Sequence, residues 1–331
     1  MQNFLDPAIL FFVFGVAAGA LRSNLEIPAP IAKFLSLYLL MALGLKGGFA
    51  LAASGLTLEI LLSLLAAMLM AFLVPVLGYA LLRHRVSGFD AAALAASYGS
   101  VSAVTFVTAM QALEDAGLQA GGHMAMAMVL MESPAIIVAI LIGNGLRKAG
   151  THHGLAREAT QAAPQRAAPS IGAVLHESFT SGAHLLLLGS MLVGLLSGES
   201  GKSTMQPFSS DLFKGMLAFF LLDMGLMVAR NFGDARKAPL ALLGYAILAP
   251  FVHAGLALVL AWLLGLGLSD AFLLMVLSAS ASYIVVPAVL RDAIPEANPA
   301  IYFGLSLGIT FPLNILVGIP VYSAAARALL T

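Results

Sequence analysis

The 331 residues include 60% hydrophobic and only 10% charged side chains, and their mean hydropathy is +0.98, whereas a soluble domain carries about 25% charged residues. The formal net charge is zero and there are no cysteines. That removes the electrostatic case for nucleic-acid binding and excludes disulfides, thiolate metal sites and cysteine nucleophiles.

Between short charged clusters lie apolar runs long enough to cross a hydrocarbon core of about 30 Å as helices of about 20 residues. They lack the apolar–polar alternation of a membrane strand. In chain order the runs predict spans at roughly 7–22, 30–50, 57–82, 89–112, 121–147, 181–197, 208–229, 238–265, 269–291 and 299–326. The first run has no basic region ahead of it and no A-x-A-like site behind it, so it is expected to be a span and not a cleaved signal peptide. The long polar stretch from Arg147 to about Ser170 reads as a linker. Ile171 to Phe179 reads as an interfacial helix leading into span six. The expected organisation is a five-helix repeat over 1–147, a cytoplasmic linker over 148–170 and a second five-helix repeat over 171–331.

Ten spans place both termini on one side, and the positive-inside rule orients them. Twelve basic residues fall on the side of the odd-to-even loops: Arg22, Lys33, Arg83, Arg85, Arg147, Lys148, Arg157, Arg166, Arg230, Arg236, Lys237 and Arg291. Four fall opposite: Lys46, Lys202, Lys214 and Arg327. Both termini are therefore expected outside and the linker inside.

Five spans per half, an odd number, forces similar halves into opposite orientations. Tyr38-Leu-Leu-Met-Ala-Leu-Gly44-Leu matches Phe220-Leu-Leu-Asp-Met-Gly225-Leu, Gly99-Ser-Val-Ser102 matches Ala279-Ser-Ala-Ser282, and Glu132-Ser-Pro134 falls where Thr310-Phe-Pro312 falls. Inverted repeats of this kind typify secondary transporters, with ligands bound where broken helices meet.

The most polar stretches inside apolar spans are Ser97 to Thr105 in span four and Ser278 to Tyr283 in span nine. A helix broken there begins a new half-helix with unpaired N–H groups, a positive dipole end and hydroxyl caps. Two such ends make a cradle for a small anion, and the candidate residues are Gly99, Ser100, Ser102, Thr105, Ser280, Ser282 and Tyr283. Gly99 supplies flexibility for the break in span four. In span nine Pro287 denies a helix bond to Tyr283. The competing reading is that such hydroxyls bond back onto their own helix or glue helices together.

Charged groups inside spans are expensive and usually functional. Glu132, ahead of Pro134, offers oxygen donors suited to Na⁺. Ser97, Thr310, Asn314 and Asp223 are the further Na⁺ candidates. Two readings stand for Asp223, as a second ion or proton site or as a partner of Lys46, which also lies near enough to a span end to snorkel. His253 fits a proton shuttle or a neutral packing role, and His123 and His184 lie at span entrances.

These residues resemble the sodium-dependent bicarbonate transporter family, the SbtA type best known from cyanobacteria. The resemblance runs over nearly the whole chain. It rests on Ile27-Pro28 leading to Gly44-Leu-Lys-Gly47-Gly48, on Gly99-Ser-Val-Ser102 with Thr105, and on Glu132-Ser-Pro134-Ala. In the second half it rests on Ser280-Ala-Ser282, Leu290-Arg291 and the loop Ile294-Pro-Glu-Ala-Asn298-Pro299 with Tyr302 and Gly304. It implies an all-α polytopic fold of about ten transmembrane helices in two inverted repeats, with core and gate domains, in the bacterial inner membrane. It further implies a homotrimer that imports bicarbonate with Na⁺ by an elevator-like or rocking motion, without an organic cofactor. A small PII-like regulatory protein at the cytoplasmic face is an implied partner. Where the cyanobacterial pattern has an acidic residue after the second serine run, this chain has Tyr283.

The alternative within transport is an Na⁺- or H⁺-coupled symporter of another small, organic anion. A channel lacks its filter motif here, and none of the seven histidines has the spacing of a metal-hydrolase site.

Overall fold

The computed structural model describes residues 6–55, 57–152, 172, 176, 181–235 and 238–330, and every regular element among them is helical. Many of the helices start where a cap or a proline favours it. α1 (Pro7–Ala20) begins on Asp6, whose Oδ1 accepts from the Ala8 N–H at 2.8 Å, with Pro7 presetting φ. α2 (Ala29–Ser54) follows Pro28 and ends at Gly55, whose φ of 68° only glycine adopts without strain. α3 (Leu58–Leu82), α4 (Gly88–Gly99) and α5 (Ala103–Asp115) start on the hydroxyls of Thr57, Ser87 and Ser102. α6 (His123–His152) carries Pro134 without breaking. α7 (Gly182–Gln206) starts on Ser181 and is followed by α8 (Phe213–Ala235) and α9 (Leu240–Leu264). α10 (Leu268–Ala279) and α11 (Val285–Ala293) precede α12 (Pro299–Leu330). α12 holds two π-helical turns, Ser306–Thr310 and Asn314–Gly318, on either side of Pro312.

Seven stretches among the described residues are long and apolar enough to cross a membrane, with α1 and α10 as shorter apolar helices. Large apolar side chains face outward at helical spacing, as Leu58, Leu61, Leu65, Leu69, Phe72 and Val76 do on α3. Buried instead are serines and threonines such as Ser97, Ser102, Thr105 and Thr310, with the ionisable Glu132, Asp270, His123, His184 and His253. Apolar outside and polar inside is the arrangement of a multi-pass membrane protein.

The end expected for span six at residue 197 coincides with a break in the helix. Gly198 leaves helical geometry (φ 56°, ψ −143°), so α7 consists of two helical segments, one on each side of Gly198, and a π-helical turn over Pro207–Asp211 leads into α8. At the other end of the linker, α6 continues past Arg147 to His152, into the segment expected to be linker. The rest of the 148–170 linker and nearly all of the expected interfacial helix at Ile171–Phe179 lie outside the described residues, as do Arg236 and Lys237.

The helices sort into two bundles. α1 packs along α8, α2 along α7, and α2 against α8; α3–α6 and α9–α12 pack among themselves. The first bundle is built on small residues. A Cβ on Gly15 would strike the Leu222 carbonyl, one on Gly19 the Ala229 side chain at 2.6 Å, and one on Gly44 the Ser190 side chain at 2.8 Å. Without a hydrophobic drive between helices in lipid, such close backbone approach supplies the attraction. α2 meets α6, and α8 meets α12, across the boundary between bundles.

Loop contacts divide between two ends of the molecule. At one end Lys46 pairs with Glu114 at 2.8 Å, Lys214 with Asp115, and Glu59 accepts from the Gly267 N–H at 2.8 Å. At the other end Arg147 pairs with Glu296, Asp90 accepts from the Asn298 N–H at 2.7 Å, and Arg230 donates to the Leu25 carbonyl at 3.1 Å.

Candidate functional site

The stretches expected as spans four and nine are both broken where the serines cluster. α4 stops at Gly99, Ser100 to Ser102 are extended, and α5 restarts with the Ser102 hydroxyl accepting from the Thr105 N–H at 3.2 Å. α10 stops at Ala279, Ser280 is extended, and α11 restarts at Val285 with Ser282 Oγ accepting from the Val286 N–H at 3.3 Å. Pro287 lies in that first turn, where its missing N–H costs nothing.

The two breaks cross each other. The Ser282 N–H donates to the Ser97 carbonyl at 2.7 Å, and the Ser102 N–H donates to Ser280 Oγ at 3.0 Å. Thr105 Oγ1 lies 3.0 Å from Ser102 Oγ, which is 3.5 Å from the Tyr283 hydroxyl. The candidates Ser100, Ser102, Thr105, Ser280, Ser282 and Tyr283 thus converge, all buried. Gly99 is buried too, for a reason other than flexibility. It has no left-handed φ, and the Pro75 ring of α3 lies 2.6 Å from where its Cβ would stand. Gly99 is there to admit Pro75, which fixes α4 against α3.

α12 braces both breaks. Thr310 Oγ1 donates to the Ala246 carbonyl at 2.8 Å and so accepts from the Tyr98 hydroxyl at 2.5 Å, just ahead of the first break. Asn314 Nδ2 donates at 2.9 Å to the carbonyl of Ala279, the last residue before the second break, while Asn314 Oδ1 accepts from Tyr322 at 2.8 Å. Tyr98 and Tyr322, which hold Thr310 and Asn314 by hydrogen bonds, are supports of the breaks that the residue pattern did not single out. A tyrosine in an apolar span is a weak signal by itself, since it packs like phenylalanine. Ser97, Ser100 and Ser278, all at the breaks, bury hydroxyls with no hydrogen-bond partner among the described residues.

The five Na⁺ candidates do not gather in one place. Ser97, Thr310 and Asn314 surround the breaks, as just described. Glu132 on α6 is 5% exposed and paired with His184 of α7, a buried polar contact that joins the two bundles. Asp223 is half-buried on α8 and makes no side-chain hydrogen bond or ion pair among the described residues. The pairing with Lys46, one of its two readings, is not formed: the lysine reaches Glu114 instead and lies over the Phe213 ring at 4.3 Å. Beyond these, His123 pairs with Asp270 at 2.9 Å, and Ser63 lies 3.4 Å from the same carboxylate. No residue spacing could reveal these pairs, because their members come from different helices. His253 is buried with its Nδ1 unpartnered among the described residues.

Two cavities, of about 610 and 560 Å³, open at the end of the molecule that carries Lys46 and Lys214. Neither is lined by the break serines.

No curated protein matches the chain. The family model of the Na⁺-dependent bicarbonate transporter superfamily matches residues 7–327, nearly its whole length. Crossed, serine-lined helix breaks inside a multi-pass helical membrane protein agree with that match, and the chain belongs to the Na⁺-dependent bicarbonate transporter superfamily, a family of transporters, not enzymes, whose coupling ion is Na⁺.

Proposed function

We propose that the protein imports bicarbonate together with Na⁺ and holds the anion between the first turns of α5 and α11. The observation that carries this reading is the crossing of the two breaks through Ser282 N–H to Ser97 O and Ser102 N–H to Ser280 Oγ. Each helix start carries a partial charge of about +0.5. Two of them, from opposite directions, recognise an oxyanion through N–H groups and hydroxyls without a buried lysine or arginine. An unsatisfied buried hydroxyl costs about 1–3 kcal/mol, and the partnerless Ser97, Ser100 and Ser278 regain a partner when ions bind.

The ends of α4 and α10 at the same place carry the opposite partial charge. We assign the Na⁺ to that side, with Ser97, Thr310 and Asn314 as the oxygen-bearing side chains nearest it. Glu132 and Asp223, joined to the breaks by no hydrogen bond or ion pair among the described residues, stand outside this site.

The inverted repeat is supported by matched packing. Exchanging first-half spans for their second-half counterparts turns the α1–α8 pair into the α2–α7 pair, and the α2–α6 contact into the α8–α12 contact. Gly15 and Gly19 against Gly225 and Ala229 then correspond to Ser190 and Gly194 against Gly44 and Gly48. The two-ended grouping of loop contacts is the one that ten spans require. With the basic-residue bias it supports termini outside and linker inside. Transport follows if the break-bearing bundle moves against the α1, α2, α7 and α8 bundle. The homotrimer, the bacterial inner membrane and a PII-like partner rest on the family resemblance alone.

The test is uptake of radiolabelled bicarbonate into proteoliposomes, with and without an Na⁺ gradient, against a panel of competing organic and inorganic anions. Ser102→Leu and Ser282→Leu should each abolish uptake while the protein stays folded. Normal uptake in both defeats the cradle, and preferential competition by an organic anion reassigns the substrate.

A further inference from the structure

The larger cavity, about 610 Å³, lies between the bundles, with Ile9 and Leu217 on one side and Thr108, Asp115, Ile319 and Arg327 on the other. Below it, toward the breaks, two features run in parallel. The first is polar. Thr105 and Ser102 follow Thr108 at three-residue intervals along α5, each step about 4.5 Å at 1.5 Å per residue. The second is aromatic. Phe12 lies one turn beyond Ile9 on α1, and Phe311 lies two turns beyond Ile319 on α12. The Phe12 and Phe311 rings meet edge-on with centroids 5.6 Å apart, Phe311 meets Tyr283 at 5.2 Å, and the Tyr283 hydroxyl is 3.5 Å from Ser102 Oγ. The three rings are buried. Phe12 belongs to one bundle and its two partners to the other, so movement between bundles must part them.

We propose that this cavity is the outer entrance for the anion and that the Phe12–Phe311–Tyr283 stack is the barrier separating it from the breaks. The assignment rests on the reading of the breaks as the anion site. A buried aromatic constriction blocks a hydrated ion by refusing it water, while Thr108 and Thr105 offer hydroxyls along a polar line beside it. The rim carries charges of both signs, Arg327 with Asp6 and Asp115, the last paired with Lys214, as suits an anion that travels with a cation.

The cysteine-free chain allows a direct test with a membrane-impermeant methanethiosulfonate applied from outside to proteoliposomes of known orientation. Ala112→Cys, in the cavity wall, should react readily and Thr105→Cys slowly. Adding Phe12→Ala should speed labelling of Thr105→Cys by roughly tenfold or more, the effect of about 1.4 kcal/mol on an opening equilibrium. Phe311→Leu, which keeps an apolar side chain, provides the same comparison if Phe12→Ala lowers the yield of folded protein. The entrance is refuted if Ala112→Cys reacts only from inside. The barrier is refuted if Thr105→Cys reacts as fast as Ala112→Cys with the stack intact, or if neither aromatic substitution changes its rate. Labelling needs no transport, so a separate arm isolates the underlying reading. If bicarbonate fails to protect Thr105→Cys in the opened variant, the anion site falls and the barrier stands.

Discussion

Ser282 donates its backbone N–H to the carbonyl of Ser97 at 2.7 Å, across more than half the chain. That bond ties the restart of span nine to the stop of span four, so neither break can shift without the other. An extended backbone inside a membrane is tolerated only where its polar groups find partners of this kind.

Gly99 and Pro75 should behave as a coupled pair. Gly99→Ala places a methyl group 2.6 Å from the proline ring, an overpacking expected to cost about 1–3 kcal/mol and to reduce uptake. Pro75→Ala makes room, so the double variant should recover part of both losses. Melting temperature in detergent and bicarbonate uptake measure it; a fully additive double variant would show that the ring is not the obstacle.

His184→Ala should destabilise more than the double change Glu132→Gln with His184→Gln. Removing one member of a buried hydrogen-bonding pair leaves the other unsatisfied, at about 1–3 kcal/mol, whereas replacing both by groups of similar shape can be nearly neutral. The two bundles are joined at this pair, so the measurement is thermal unfolding of each variant. Equal losses would mean that the groups act separately.

The same double variant separates two assignments of the Na⁺ site. Its uptake should keep the native Na⁺ dependence, while Ser97→Ala should need clearly more Na⁺ for half-maximal uptake with little change in melting temperature. The reverse outcome would return Glu132 to the ion site.

Glu296, in the loop after α11, accepts two hydrogen bonds from Arg147 at 2.8 Å, and that guanidinium holds its carboxyl below the ordinary carboxylate range. A depressed pKa contributes stability that is present above the unfolded pKa and lost as pH falls through the folded one. The pair is partly exposed and is worth about 1 kcal/mol or less. Amide protection across residues 294–298, relative to the intrinsic exchange rate at each pH, should therefore fall on acidification below the usual carboxylate range. Glu296→Gln should show faster exchange at neutral pH and no such acid step.

Much of this was legible in the residues. Apolar run length predicted the helices, and polar clustering predicted the breaks, because hydrocarbon leaves the backbone no partner except its own helix and makes every polar exception conspicuous. The cluster Ser278 to Tyr283 stood out for that reason, and α10 does end inside it. Gly99 was expected to give the break flexibility, whereas its constraint in the structure is a ring on another helix. The end expected for span six at residue 197 agrees with the break in helical geometry at Gly198, and a second helical segment follows it to Gln206.

By itself, then, the sequence determined the solvent, the helical class and the places where helices break, since all three follow from local composition against a fixed membrane thickness. Only the tertiary structure decided which charges pair: Glu132 with His184, Lys46 with Glu114 and His123 with Asp270. It also showed that Thr310 and Asn314 brace the breaks. Those choices depend on distances between helices far apart in the chain, and a buried charge takes whichever partner the packing brings within reach.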